Sequence, residues 1–247
     1  AYMFGRKQGL SPLQALTDSC VLAFNADTSG YVGNNYAPEV GSGNLVRGVV
    51  SQSTGIVDQA LNVANSSTRA IQGDSNLNSD TNLLLKNVDN SDKSYFMSYW
   101  IRLTSLPSNT QAFSIFDNRN TAGVSIVHYM TGGKIVLLEQ GSGSLEARFT
   151  LPSSIINSWT HFAIFYDANL KTHKLLLNSV DQTAFSQTNS NFIRKNILVN
   201  SIKIGKNNSN NFPLKGAIDI FSIHKDLSFN QGVVDLLYNN GNGIQIF

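Results

Sequence analysis

Carboxylates able to cleave a glycosidic bond are scarce in this chain, because Glu occurs only at Glu39, Glu139 and Glu146. A glycoside hydrolase needs two carboxyl groups about 5 to 9.5 Å apart across the scissile bond. Glu139 and Glu146 fall in adjacent predicted strands across a short turn, so they are the pair that could approach; ordinary cross-strand surface carboxylates share that spacing. His128, His161, His173 and His224 are scattered over different predicted strands, and Cys20 is the lone cysteine. Local spacing therefore writes neither a His-rich transition-metal site nor a Cys-rich zinc site. Nucleophile elbow, His-Glu-x-x-His helix, Walker loop and dinucleotide fingerprint are all absent. Catalysis has no visible home, and the chain reads as a non-enzyme.

The elements that would position any site are short strands. From Cys20 onward, alternating or apolar runs recur between clusters of Gly, Asn, Ser and Asp, the pattern of a sandwich or barrel. The clearest are Cys20–Ala26, Leu83–Val88, Tyr95–Leu103, Ala112–Phe116, Val124–Tyr129, Lys134–Glu139, Ser144–Thr150, Thr160–Tyr166, His173–Leu177, Ile197–Ile204 and Leu214–Ile223. Thr131-Gly132-Gly133 reads as a hairpin turn, and Gln140-Gly-Ser-Gly143 as a link between the next two runs. One helix is expected, Phe229–Tyr238, capped by Ser228 and ended by Asn240-Gly241. Residues 1–18 form an N-terminal arm whose Arg6 and Lys7 suit an acidic neighbour in an assembly. Residues 19–247 form one domain.

Composition narrows the partners. Charged residues make up 14% of the chain and its net charge is +2, while Asn and Ser each number 29. Scattered Lys and Arg give no electrostatic grip on nucleic acid or an acidic membrane. No apolar run reaches the roughly 18 to 20 residues that would span a bilayer, and the first nine residues lack the apolar stretch of a signal peptide. Membrane insertion is not expected.

Four stretches carry a resemblance. Leu10-Ser-Pro-Leu-Gln-Ala-Leu-Thr-Asp-Ser-Cys-Val-Leu-Ala-Phe-Asn-Ala-Asp27 resembles the entry segment of laminin-G-like proteins of phages and other viruses, with Phe24 and Asn25 where Trp and Leu are frequent. Tyr95-Phe-Met-Ser-Tyr-Trp-Ile-Arg-Leu-Thr-Ser105 and Ser158-Trp-Thr-His-Phe-Ala-Ile-Phe-Tyr166 resemble that family's central strands. The run Phe212–His224 followed by Leu236-Leu-Tyr-Asn-Asn-Gly241 resembles its closing signature. In this order they are similar to the laminin-G-like, or concanavalin-A-like, lectin and glucanase family. The resemblance implies an all-β, two-sheet antiparallel jelly-roll sandwich with one short C-terminal helix.

Its implications for function are expectations. The first is a non-catalytic virion component on a capsid, head fibre or tail, assembling with other virion proteins or with itself and located at the virion surface. The alternatives are a secreted bacterial carbohydrate-binding or adhesion module that takes a cell-surface glycan, and a glycoside hydrolase. The family pattern turns Tyr95, Met97, Tyr99 and Ile101 to the core, leaving Phe96, Ser98, Trp100 and Arg102 on the opposite face beside Trp159 and His161. Phe96, Trp100, Arg102, Trp159 and His161 then serve either as scaffold or as a sugar-binding face. Asp219 resembles the acidic residue that holds structural calcium in jelly-roll relatives, with Gly73 and Asn25 completing the site; no cofactor is required. Asp117-Asn-Arg-Asn120 and Asp74–Asp80 are second-choice calcium loops.

Overall fold

In a computed structural model, the structure describes residues 11–24, 32–33, 45–47, 51–63, 71–73, 93–119, 125–193, 202–207, 209 and 211–244. The order of elements is α1 (Pro12–Ser19), β1 (Cys20–Phe24), β2 (Val32–Gly33), β3 (Leu45–Arg47), β4 (Ser51–Thr54), β5 (Gln59–Asn62), β6 (Ile71–Gly73), β7 (Tyr95–Leu103), β8 (Ala112–Asp117) and β9 (Ser125–Thr131). There follow β10 (Lys134–Thr150), β11 (Trp159–Asp167), β12 (Thr172–Leu177), β13 (Val180–Gln182), β14 (Ala184–Ile193), β15 (Lys203–Ile204), β16 (Gly216–Lys225) and α2 (Gln231–Tyr238).

The strands form two antiparallel sheets. One runs β13-β12-β11-β7-β16-β5-β4, with β1 also paired to β16; the other runs β14-β10-β9-β8-β15-β6-β3-β2. Such a pair buries one face of each sheet against the other. The inter-sheet core contains Tyr95, Met97, Tyr99 and Ile101 from β7, Phe162, Ile164 and Tyr166 from β11, and Ile135, Leu137 and Phe149 from β10. The expected register of β7 is the one observed.

The other face of the first sheet is also covered. Phe96, Ala163, Phe165 and Leu176 pack against Leu16 of α1 and Val233, Val234 and Leu237 of α2. Burial on both sides explains why β7 and β11 read as near-continuous apolar runs rather than as clean alternation.

Helix α1 departs from the expected arm. Ser11 caps it by accepting from the Gln14 N–H at 3.2 Å, Pro12 stands in its first turn, and Leu16 is fully buried. The cap and the proline suit a helix start, but one apolar contact in eight residues is too little periodicity to announce it. Residues 12–18 are thus packed onto the domain, and the boundary at residue 18 falls inside α1; Arg6 and Lys7 lie outside the described residues.

Of the two expected turns, one forms and the other does not. Gly132 and Gly133 both have positive φ, 54° and 69°, which is the tight β9–β10 hairpin expected from their sequence. Gln140–Gly143 makes no turn: β10 continues through it to Thr150, first against β9 and then against β14, with a register shift between Ser142 and Ser144. A β-bulge absorbs the glycines that sequence reads as a link. Helix α2 begins after Asn230, whose side chain accepts from the Gly232 N–H at 2.9 Å, rather than after Ser228. The expected strand Leu83–Val88 lies outside the described residues.

Candidate functional site

Continuity of β10 decides the carboxylate question. Glu139 follows Ile135 and Leu137 on the face turned to the core and is fully buried, whereas Glu146 alternates with the buried Leu145 and Ala147 and pairs with Arg148 at 2.6 Å. The two carboxylates leave opposite faces of one strand, so the catalytic pair expected across a turn is not formed.

Glu139 instead joins the two sheets. Its Oε1 accepts from the Tyr95 hydroxyl and from His173 Nε2 at 3.1 Å, both from the first sheet. His128, on β9 beside Glu139, approaches the Tyr95 hydroxyl at 3.4 Å through Nε2. Tyr166 packs against Tyr95 and His173, with centroids 5.3 and 5.2 Å away. The histidines do converge in part, although among the described residues no three His, Cys, Asp or Glu side chains group as a metal site. A polar residue at a core-facing place, as at Glu139 and His173, is the signal in sequence that could have found this cluster.

The expected sugar face divides in two. Phe96, Trp100 and His161 are buried. Phe96 stacks on Phe165 at 4.3 Å, and Trp100 stacks on Tyr238 of α2 at 5.9 Å and tilts on His161 at 5.1 Å. His161 Nε2 meets Ser98 Oγ at 2.8 Å. Helix α2 covers these three rings, so they are scaffold and offer no surface to a ligand; the expectation is corrected there. Burial holds His161 neutral by desolvation, with its pKa lowered to about 3.

Beyond the end of α2 the same face opens. Register pairs Trp159 with Arg102, Arg102 with Ala217 and Ala217 with Asn62, placing the four side by side across β11, β7, β16 and β5. Trp159, Arg102 and Asn62 are partly exposed, while Ala217 between them is buried. The Arg102 guanidinium lies over the Trp159 ring, 5.2 Å from its centroid, an arrangement that both attracts the cation and fixes its plane. Asn62 was missed because its face is set by cross-strand pairing, which local sequence does not encode.

Asp219 has another task. Fully buried, it accepts from the Ile56 and Val57 N–H groups at 2.9 and 3.3 Å through Oδ2 and from the Ile220 N–H at 2.9 Å through Oδ1. These amides tie the β4–β5 turn onto a break in the β16–β7 register between Asp219 and Ser222, where Ile220 holds a φ of 43°. A Cβ on Gly55 would collide with this carboxylate, which accounts for glycine in the turn. Of the expected calcium ligands, Asp219 is crowded by these donors, Gly73 lies in the other sheet and donates its N–H to the Ile202 carbonyl at 3.1 Å, and Asn25 lies outside the described residues. Asp219→Ala should lower stability by about 1 to 3 kcal/mol by orphaning these amides, and EDTA should leave the melting temperature of the unsubstituted protein unchanged. Thermal melts with and without chelator check both.

The second-choice loops satisfy themselves where they are described. Asp117 accepts from the Arg119 N–H at 2.8 Å and Asn118 from the Ile126 N–H at 2.6 Å. Asp74–Asp80 lie outside the described residues.

Residues 74–230 match the model of the concanavalin A-like lectin/glucanases superfamily. The chain belongs to that family, and its two-sheet jelly roll is the family's fold. A search of curated proteins gave no match. Among solved structures it is similar to the binding domain of Paraclostridial Mosquitocidal Protein 1, with 17% identity and a TM-score of 0.67 over 92% of this chain and 53% of that one. It is also similar to the botulinum neurotoxin serotype D ligand binding domain in complex with N-acetylneuraminic acid, at 14% identity and a TM-score of 0.68 over 93% of this chain and 53% of that one. The botulinum neurotoxin type G receptor binding domain follows at 13% and 0.65, over 90% and 51%. The chain spans about half the length of these structures, and at such identities the likeness is one of fold.

Proposed function

We propose that this chain is a non-catalytic binding module that recognises a cell-surface glycan through the open strip of its first sheet. One observation carries the reading: on a face that α1 and α2 cover in part, Trp159 and Arg102 remain partly exposed, the guanidinium lying over the ring. An aromatic ring accepts the C–H face of a sugar, and a guanidinium donates to its oxygens. Membership of a lectin and glucanase family and the fold shared with toxin binding domains support it.

The fold shared with toxin binding domains favours the carbohydrate-binding alternative over the virion component first expected. Action at an extracellular surface follows from the ligand class. No helix among the described residues is long and apolar enough to cross a membrane. The test is glycan-array binding by the isolated chain, with Trp159→Ala expected to weaken it roughly 10-fold, the order of one lost ring contact. Binding unchanged by that substitution would move the site elsewhere. Release of sugar from a bound glycan would refute the non-catalytic half.

A further inference from the structure

Resting on that reading, we infer that the strip selects a sugar residue carrying a carboxylate, held by Arg102 between Trp159 and Asn62. The argument starts from charge. Among the described residues Arg102 makes no ion pair or hydrogen bond through its guanidinium, which lies over the Trp159 ring. The nearest acid on this face by register is Asp219, two pairs along β16, opposite Trp100. Its carboxylate is turned to three backbone amides and buried, so it does not neutralise Arg102. Lys215, next to β16 in sequence, sends its ammonium over Phe113 of the other sheet, 5.3 Å from the centroid. Arg102 is therefore the single full charge in the row Trp159, Arg102, Ala217 and Asn62.

Shape follows from the sheet. Neighbouring strands lie about 4.8 Å apart, so Arg102 on β7 and Asn62 on β5 stand about 10 Å apart with β16 between them. The residue on β16 is Ala217, whose methyl is too short to fill that gap. A trough one sugar ring wide results, with a planar cation on one bank and a carboxamide on the other. Stacking on Trp159 holds the guanidinium plane, so its paired N–H groups can meet both oxygens of a carboxylate with little further loss of freedom. The Asn62 amide both donates and accepts, which suits a ring hydroxyl. A neutral sugar would leave the cation without its complement.

Titration of the intact chain with sialyllactose, an oligogalacturonate and neutral lactose tests this. The carboxylated ligands should bind roughly 10- to 100-fold more tightly than lactose, the value of one charge-assisted bidentate pair. Arg102→Gln should erase that preference, and Arg102→Lys should restore only part of it. Asn62→Ala should weaken carboxylated and neutral sugars alike. Preference for only one of the two acids identifies the source of the carboxylate, and preference for both supports the class. Equal affinity for lactose, or an acid preference that survives Arg102→Gln in a variant with an unchanged melt, overturns the inference while leaving glycan binding in place. If neither these sugars nor the array bind, the glycan reading falls as well.

Discussion

Lowering the pH from 8 to 5 is expected to destabilise this protein by about 6 kcal/mol through three histidines alone. His128, His161 and His224 are fully buried, and desolvation lowers each pKa from 6.5 to about 3. At His128 the charge of Glu139 opposes that shift and His173 adds to it; at His224 a hydrogen bond to the Leu16 carbonyl opposes it. A histidine whose folded pKa is depressed contributes stability that is complete above the unfolded value and is lost as pH falls from about 6.5 toward 3. In that window the unfolded chain takes up protons that the native one refuses. Between pH 8 and 5 each such group costs about 2 kcal/mol.

A typical domain holds about 5 to 15 kcal/mol in total, so the acid limb is a large fraction. For a chain of this size the shift in melting temperature is roughly 12 to 24 °C. Melts across that range check it, and a flat profile would show the three imidazoles to be open to solvent. His224 offers a finer control. Its Nδ1–H must donate to the Leu16 carbonyl at 3.0 Å, since a carbonyl only accepts, so Nε2 accepts from the Ser222 hydroxyl at 3.0 Å. Protonation removes that acceptor where α1 meets the sheet. His224→Gln should reduce the pH slope by about one proton below pH 6.

Removing the Glu139 side chain is the other change of large effect. Glu139→Ala would leave the Tyr95 hydroxyl and His173 Nε2 of the first sheet without the acceptor they share from the second, at a cost of about 2 to 6 kcal/mol. Glu139→Gln keeps a carbonyl oxygen and should cost less than half as much. Denaturant unfolding of the two variants compares them. Equal stabilities would mean that the acceptor oxygen contributes nothing and that only the volume of residue 139 matters.

What the sequence determined by itself was everything that repeats locally. The short runs between turn residues gave an all-β chain, and the two positive-φ glycines of the β9–β10 hairpin were visible as Gly132-Gly133. The inward set of Tyr95, Met97, Tyr99 and Ile101 followed from period two once one face was assigned to the core. The four spaced motifs added the family. Only the tertiary structure decided which second faces were covered. Leu16 and Tyr238 lie more than 200 residues apart in the chain yet seal neighbouring parts of one sheet, so Phe96, Trp100 and His161 became scaffold while Arg102 and Trp159 stayed open. Local periodicity says that a residue leaves one side of a strand; it cannot say whether a helix from elsewhere lies there. The same limit hid the partners of Asp219, Glu139 and Asn62, each set by a pairing across strands or sheets that no spacing along the chain records.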